Sequence, residues 1–141
     1  MKASFGLLAR GSLDELPKIS DFILDSTEGS ELDQRERYHL MMAVDEACTN
    51  IIKYGGSTEI EIRCHVEGER VEVEITDDGV AFNPLEAPAP EISAPLEERE
   101  VGGLGIHFIR TLTTDVKYEH RQGKNNLTMT LRHRQNNILR K

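Results

Sequence analysis

Three stretches of this chain carry residue types that could do chemistry together. The first runs Val44-Asp45-Glu46-Ala47-Cys48-Thr49-Asn50-Ile51-Ile52-Lys53-Tyr54. Glu46 and Asn50 stand at i and i+4, so on a helix they leave the same face one turn apart. Lys53 follows Asn50 by three and falls near that face. A carboxylate, an amide oxygen and an ammonium on one patch suit a metal ion, a hydroxyl or water to be deprotonated, and a phosphate. The same spacing also describes a plain solvated helix face. The second stretch is Thr76-Asp77-Asp78-Gly79-Val80-Ala81-Phe82-Asn83-Pro84. A carboxylate at Asp77 can receive an exocyclic amine, while Gly79 lets a flat ring approach the backbone; an ordinary Asp-Gly turn reads the same way. The third is Val101-Gly102-Gly103-Leu104-Gly105-Ile106-His107. Glycines at a helix start leave N–H groups to cradle phosphate oxygens, or simply make a hinge. No Gly-Lys-Ser/Thr follows, so this is not a Walker A loop, and the six-residue dinucleotide pattern is missing.

The elements that must position these residues follow from periodicity. Lys2 to Arg10 reads as a strand, broken at Gly11-Ser12. Ser12 and Glu15 fit a capping box, and Leu16, Ile19, Phe22, Ile23 and Leu24 keep helical spacing to about Ser26. A longer helix is expected from about Leu32 to Tyr54, on the spacing of Leu40, Met41, Val44, Ala47, Cys48 and Ile51, with Gly55-Gly56 stopping it. Thr58 to Val66 and Arg70 to Asp77 alternate apolar and charged residues around Gly68, a hairpin with one buried and one wet face. The segment of about 84–102 holds four of the five prolines and the run Glu97-Glu98-Arg99-Glu100. It reads as a long loop or lid. A short helix through Ile106, Phe108, Ile109 and Leu112 follows it. A second hairpin, Asp115 to His120 and Asn126 to His133, turns at Gln122-Gly123-Lys124-Asn125, and the basic residues of about 134–141 form a frayed tail. Hairpin strands with helices between them imply a two-layer α/β sandwich of the α+β class, its mainly antiparallel sheet covered on one face.

The length of 141 residues fits one domain, 1–141, with a single core. The net charge of -8, from 25 acidic and 17 basic residues, disfavours nucleic-acid and acidic-membrane binding. A locally basic pocket or a divalent metal can still hold a phosphate. There is no membrane-span run and no signal-peptide pattern, which points to the cytoplasm. Cys48 and Cys64 lie in no metal-ligand spacing and read as free thiols.

Taken in order, Glu46-x-x-x-Asn50, Asp77-x-Gly79, a lid and Gly103-Leu104-Gly105 resemble the N, G1 and G2 boxes of the GHKL ATPase superfamily. That superfamily includes gyrase, heat-shock chaperones, histidine kinases and mismatch-repair ATPases. The resemblance covers about Leu32 to Leu131. Within it, DEACTNIIKYG, DDGVAFNP, and GGLGIHFIR followed by TDVKYE are similar to the small anti-sigma-factor serine/threonine kinases of bacteria. The resemblance implies the Bergerat fold, a mixed sheet of about five strands under three helices. It implies ATP with Mg2+, with Asn50 as the metal ligand and Glu46 as the general base toward a serine hydroxyl. Lys53 would stand near the phosphates, Asp77 would fix the adenine amino group with Gly79 beside it, and Gly103, Leu104 and Gly105 would close over the phosphates. Thr128 aligns with the adenine-site threonine, although Asn126-Leu127 replace the usual Gly-Thr. Arg99 and Arg110 are candidate phosphate contacts without a motif, while His39 and His107 read as packing or solvent-facing residues.

The family's activity is transfer of phosphate to a serine on an antagonist protein, with the antagonist and a sigma factor competing for the kinase in a partner switch. Its members commonly form homodimers. A non-catalytic, ATP-dependent binding module that sequesters a regulator is the alternative. The ATPase half of a histidine kinase fits less well: His39, in Arg37-Tyr38-His39-Leu40, lacks the acidic neighbour of a phosphoacceptor.

Overall fold

The computed structural model describes residues 2–81, 83 and 115–134. The elements are β1 (Lys2–Arg10), a 3-10 turn (Leu13–Glu15), α1 (Leu16–Thr27), α2 (Gln34–Asn50), a π-helical turn (Ile51–Gly55), β2 (Glu59–Glu67), β3 (Arg70–Asp77), β4 (Asp115–Arg121) and β5 (Lys124–Arg132). The five strands form one sheet in the order β1-β2-β3-β5-β4. Every neighbouring pair is antiparallel, so among the described residues the sheet is not mixed. The expected lid, the short helix through Ile106 to Leu112, and all of the tail except Arg134 lie outside the described residues.

Strict alternation decides which face is covered. Ile60, Ile62 and Cys64 of β2, Val71, Val73 and Ile75 of β3, and Leu127, Met129 and Leu131 of β5 are all buried. They meet Ile19 and Ile23 of α1 and Leu40, Ala43, Val44, Ala47 and Cys48 of α2 in one core. Removing each such Val, Leu or Ile side chain from water stabilises the fold by about 1.5–3 kcal/mol. The opposite face carries the charged side chains, with Arg63 paired to Glu61 and Arg70 to Glu72, and with His65 hydrogen-bonded to Glu74. It has no helix over it among the described residues, which makes this the two-layer sandwich expected.

Helix ends depart from expectation in informative ways. Ser12 caps only the 3-10 turn, accepting from the Asp14 N–H at 3.3 Å. The Glu15 carboxylate accepts the Arg10 N–H at 3.0 Å, outside any capping box. The capping box is instead at α2, where the Asp33 side chain accepts the Glu36 N–H at 2.7 Å and Glu36 accepts the Asp33 N–H at 2.9 Å. Arg37, one residue on, ties the helices together. Its guanidinium donates to the Leu24 carbonyl at 2.6 Å and to Thr27 Oγ1 at 3.2 Å, ending α1 with a positive charge. The regular part of α2 stops at Asn50, and the chain then widens into the π-helical turn before Gly56 takes φ 65°. The second hairpin is tighter than expected. Gln122 and Gly123 take φ of 56° and 76°, a two-residue turn, so β5 begins at Lys124 and Asn125 is part of the strand.

Candidate functional site

The π-helical turn after α2 and the loop that follows it meet the C-terminal end of β3. Glu46 is half-buried and Asn50 is 3% exposed. Both are on α2, one turn apart, as the spacing requires. Lys53 is exposed within the π-helical turn, whose i→i+5 winding turns less per residue than an α-helix and so sets it further off the face of Asn50. The turn brings the following loop onto the end of β3: Gly55 accepts the Val80 N–H at 3.0 Å. Cys48 faces the same region. Burial pushes its thiol up, and the negative charges of Asp45 and Asp77 push it further.

Two consecutive carboxylates fasten that junction. Asp77 is buried, and its Oδ1 accepts from Ser57 Oγ at 2.7 Å, the Gly79 N–H at 2.9 Å and Asn125 Nδ2 at 3.1 Å. Asp78 points the other way, into solvent. Hydrogen bonds from the Thr58 hydroxyl, and then from the Glu59 and Thr58 N–H groups, hold its carboxyl down at about 2. Gly79 is required by space as well as by any ligand. A Cβ there would lie 2.3 Å from the Gly55 carbonyl oxygen and 2.6 Å from Ser57 Oγ.

Thr128 does not join this group, which corrects the expectation from alignment. In register, Asn125 stands opposite Asp77 and Leu127 opposite Ile75, whereas Thr128 stands opposite Glu74. Side chains alternate along a strand, so Thr128 leaves on the charged face, away from Asp77. The side chain of β5 that does reach Asp77 is Asn125. Nothing in the sequence singles out Asn125 or Ser57: a turn over Gln122 to Asn125 places Asn125 in a loop, whereas the observed turn is two residues shorter. Gly103, Leu104 and Gly105, with Arg99, His107 and Arg110, lie outside the described residues. His39 is half-buried on α2.

The sequence profile described as histidine kinase-like ATPase domain matches residues 10–131. The chain belongs to this family. Among similar curated proteins is the serine/threonine-protein kinase BtrW of Bordetella bronchiseptica. It is 30% identical over 100 residues, covering 68% of this chain and 70% of that protein. The serine-protein kinases RsbW of Bacillus mycoides and Bacillus cereus are 32% and 34% identical over 91 residues, covering 60% of this chain and 57% of each. The crystal structure of the RsbU and RsbW domains of a Mycobacterium tuberculosis protein superposes with a TM-score of 0.66 at 13% identity, covering 92% of this chain and 32% of that one. That likeness supports the fold.

In this histidine kinase-like ATPase domain the other candidate sites are poorly suited to a nucleotide. A cavity of about 240 Å³ opens beside Leu8, Glu59, Glu61, Thr76, Asp77, Asp78 and Lys124. Most of those residues alternate onto the charged face, away from α2, and the carboxylates of Glu59, Glu61 and Asp78 would repel a triphosphate. Two groups of side chains are close enough to share a cation: Asp33, Glu36 and His133, and His65, Glu72 and Glu74. The first is already used as the cap of α2, and Arg70 takes up Glu72 in the second at 2.9 Å. Both cysteines are free and buried, and burial pushes the Cys64 thiol up to about 12. No helix among the described residues is long and apolar enough to cross a membrane.

Proposed function

We propose that this chain is a single ATPase domain acting as an ATP-dependent protein-serine kinase and anti-sigma regulator in a partner switch. The observation that carries this reading is the pairing at one end of the sandwich. The buried Asp77 carboxylate at the end of β3 accepts from Ser57, in the loop that follows the helix presenting Glu46 and the buried amide of Asn50. Membership of the ATPase family and likeness to named serine-protein kinases support the same reading.

In this reading Asp77 accepts the adenine amino group and Gly79 leaves room for the ring. The amide oxygen of Asn50, with Glu46 near it, is a hard oxygen donor of the kind Mg2+ takes. When bound, Mg2+ neutralises charge on the phosphates. Glu46 accepts the proton of the serine hydroxyl, and its half-buried position keeps it within reach of an incoming chain. Lys53, Gly103, Leu104 and Gly105 act at the phosphate end. The substrate is a serine on an antagonist protein, which competes with a sigma factor for this domain, and the working form is a homodimer in the cytoplasm.

The test uses purified protein, γ-labelled ATP and the candidate antagonist. Label is expected on a serine. Glu46→Ala should abolish transfer and leave ATP binding within about threefold, because the base acts on the acceptor and not on the nucleotide. ATP binding with no transfer to any antagonist would instead make the domain a non-catalytic binding module.

A further inference from the structure

We infer that Ser57 and Asn125 are positioning residues that set the purine preference of this site, by turning one oxygen of Asp77 inward and the other toward the base. The inference rests on the nucleotide reading above and goes beyond it, since neither residue is part of the N, G1 or G2 boxes. All three side-chain and loop donors to Asp77, from Ser57, Gly79 and Asn125, fall on Oδ1. No described residue donates to Oδ2. Yet among the described residues no wholly buried side-chain oxygen lacks a partner. Asp77 is 3% exposed, so what little surface it has includes Oδ2. The carboxylate is therefore saturated on one side and open on the other.

The orientation of Asn125 is fixed by its own surroundings. Its Oδ1 accepts the Tyr118 hydroxyl. Its Nδ2 donates both to Asp77 and, at 2.8 Å, to the Val80 carbonyl. A flipped amide would set its oxygen against two acceptors, so the network permits one orientation. Ser57 approaches from the α2 side and Asn125 from β5, and together they stop the carboxylate from rotating about its Cβ–Cγ bond. An oxygen held this way is an acceptor aimed at a ligand. It matches the exocyclic amine of a 6-aminopurine and opposes the carbonyl of a 6-oxopurine, whose own lone pairs would face it. Selectivity for a donor comes from the price of leaving a fixed polar group unpaired, and a carboxylate free to turn away would lose that selectivity.

The test compares dissociation constants for ATP, for purine riboside triphosphate (which lacks only the 6-amino group) and for GTP. Wild type, Ser57→Ala, Ser57→Thr, Asn125→Ala and Thr128→Ala are measured, each first checked for a cooperative thermal transition. Wild type should prefer ATP to the deamino analogue by about tenfold or more. Ser57→Ala and Asn125→Ala should lose about tenfold in ATP affinity while binding the deamino analogue within twofold of wild type. Ser57→Thr keeps the hydroxyl and should keep the preference, as should Thr128→Ala on the opposite face. Should Asn125→Ala fail to fold, Ser57→Ala decides alone. Equal losses for ATP and the analogue would make both residues merely structural and overturn the inference while leaving the nucleotide site intact. A wild-type protein that binds no nucleotide would overturn the proposed function itself.

Discussion

At the residue scale the site is crowded before any ligand arrives. Gly79 sits where a single methyl group would collide with the Gly55 carbonyl at 2.3 Å and with Ser57 Oγ at 2.6 Å. Gly79→Ala is therefore expected to lower stability by about 1–3 kcal/mol, as overpacking does, and to displace Ser57 from Asp77. Urea denaturation measures the first effect and an ATP titration the second; an unchanged midpoint would refute the steric account. The helix that sets Glu46 and Asn50 one turn apart and the strand that ends at Asp77 were legible from the sequence, because both are written in local spacing. Ser57 and Asn125 were not. Their importance comes from meeting Asp77 across 20 and 48 residues of chain, and nothing local to either advertises that contact. Thr128 illustrates the converse error: matching a residue type without its strand parity places it on the wrong side of the sheet.

At the scale of elements, the ends of helices and strands carry most of the specific bonding. The close of β5 is strapped to the start of α2. His133 Nδ1 lies 2.7 Å from Glu36 Oε1, and the Arg134 N–H donates to Glu36 Oε2 at 3.0 Å. Burial alone would raise the Glu36 carboxyl, but the hydrogen bonds from His133, Arg134 and Asp33 together hold it below its ordinary value of 4.5. The bond to Glu36 in turn raises His133 above 6.5. A raised histidine contributes stability that is complete below its unfolded value and disappears as pH rises through the folded one; a lowered carboxyl contributes stability that is lost as pH falls. The melting temperatures of wild type and His133→Ala should thus differ most between about pH 5 and pH 6.5 and converge in alkali. A gap that stayed constant from pH 5 to pH 9 would show the strap to be uncharged. Helical spacing reveals α2 but overruns it at both ends, about Leu32 to Tyr54 against Gln34–Asn50, and starting at Leu32 hides the capping box although Asp33 and Glu36 have the required spacing. Ser12 and Glu15 have that spacing too, and there the carboxylate went to Arg10.

Across the whole molecule, period-two alternation made both hairpins legible, most clearly in β2 and β3, where every second residue is buried; β1 reads only as a short apolar run. Strand order was not legible: β5 lies inside β4, and no local pattern records which hairpin arm faces β3. Met129 is central to that arrangement, fully buried between Val73 of β3 and Val116 of β4. Met129→Ala should cost about 2–5 kcal/mol, read from the denaturation midpoint at constant slope. A loss under about 1 kcal/mol would mean that the core closes readily over the gap. The π-helical turn after Asn50 bears on how the chain can change length. An i→i+5 turn is what an α-helix adopts when it absorbs one surplus residue. Deleting Ile52 should therefore give a plain α-turn that still delivers Ser57 to Asp77, and the protein should fold. Deleting Thr49, within the regular helix, would rotate Asn50 and the chain after it by about 100° relative to the first part of α2 and turn Ser57 away from Asp77. Among natural variants of this chain, gaps should gather after residue 50 and avoid the turn before it.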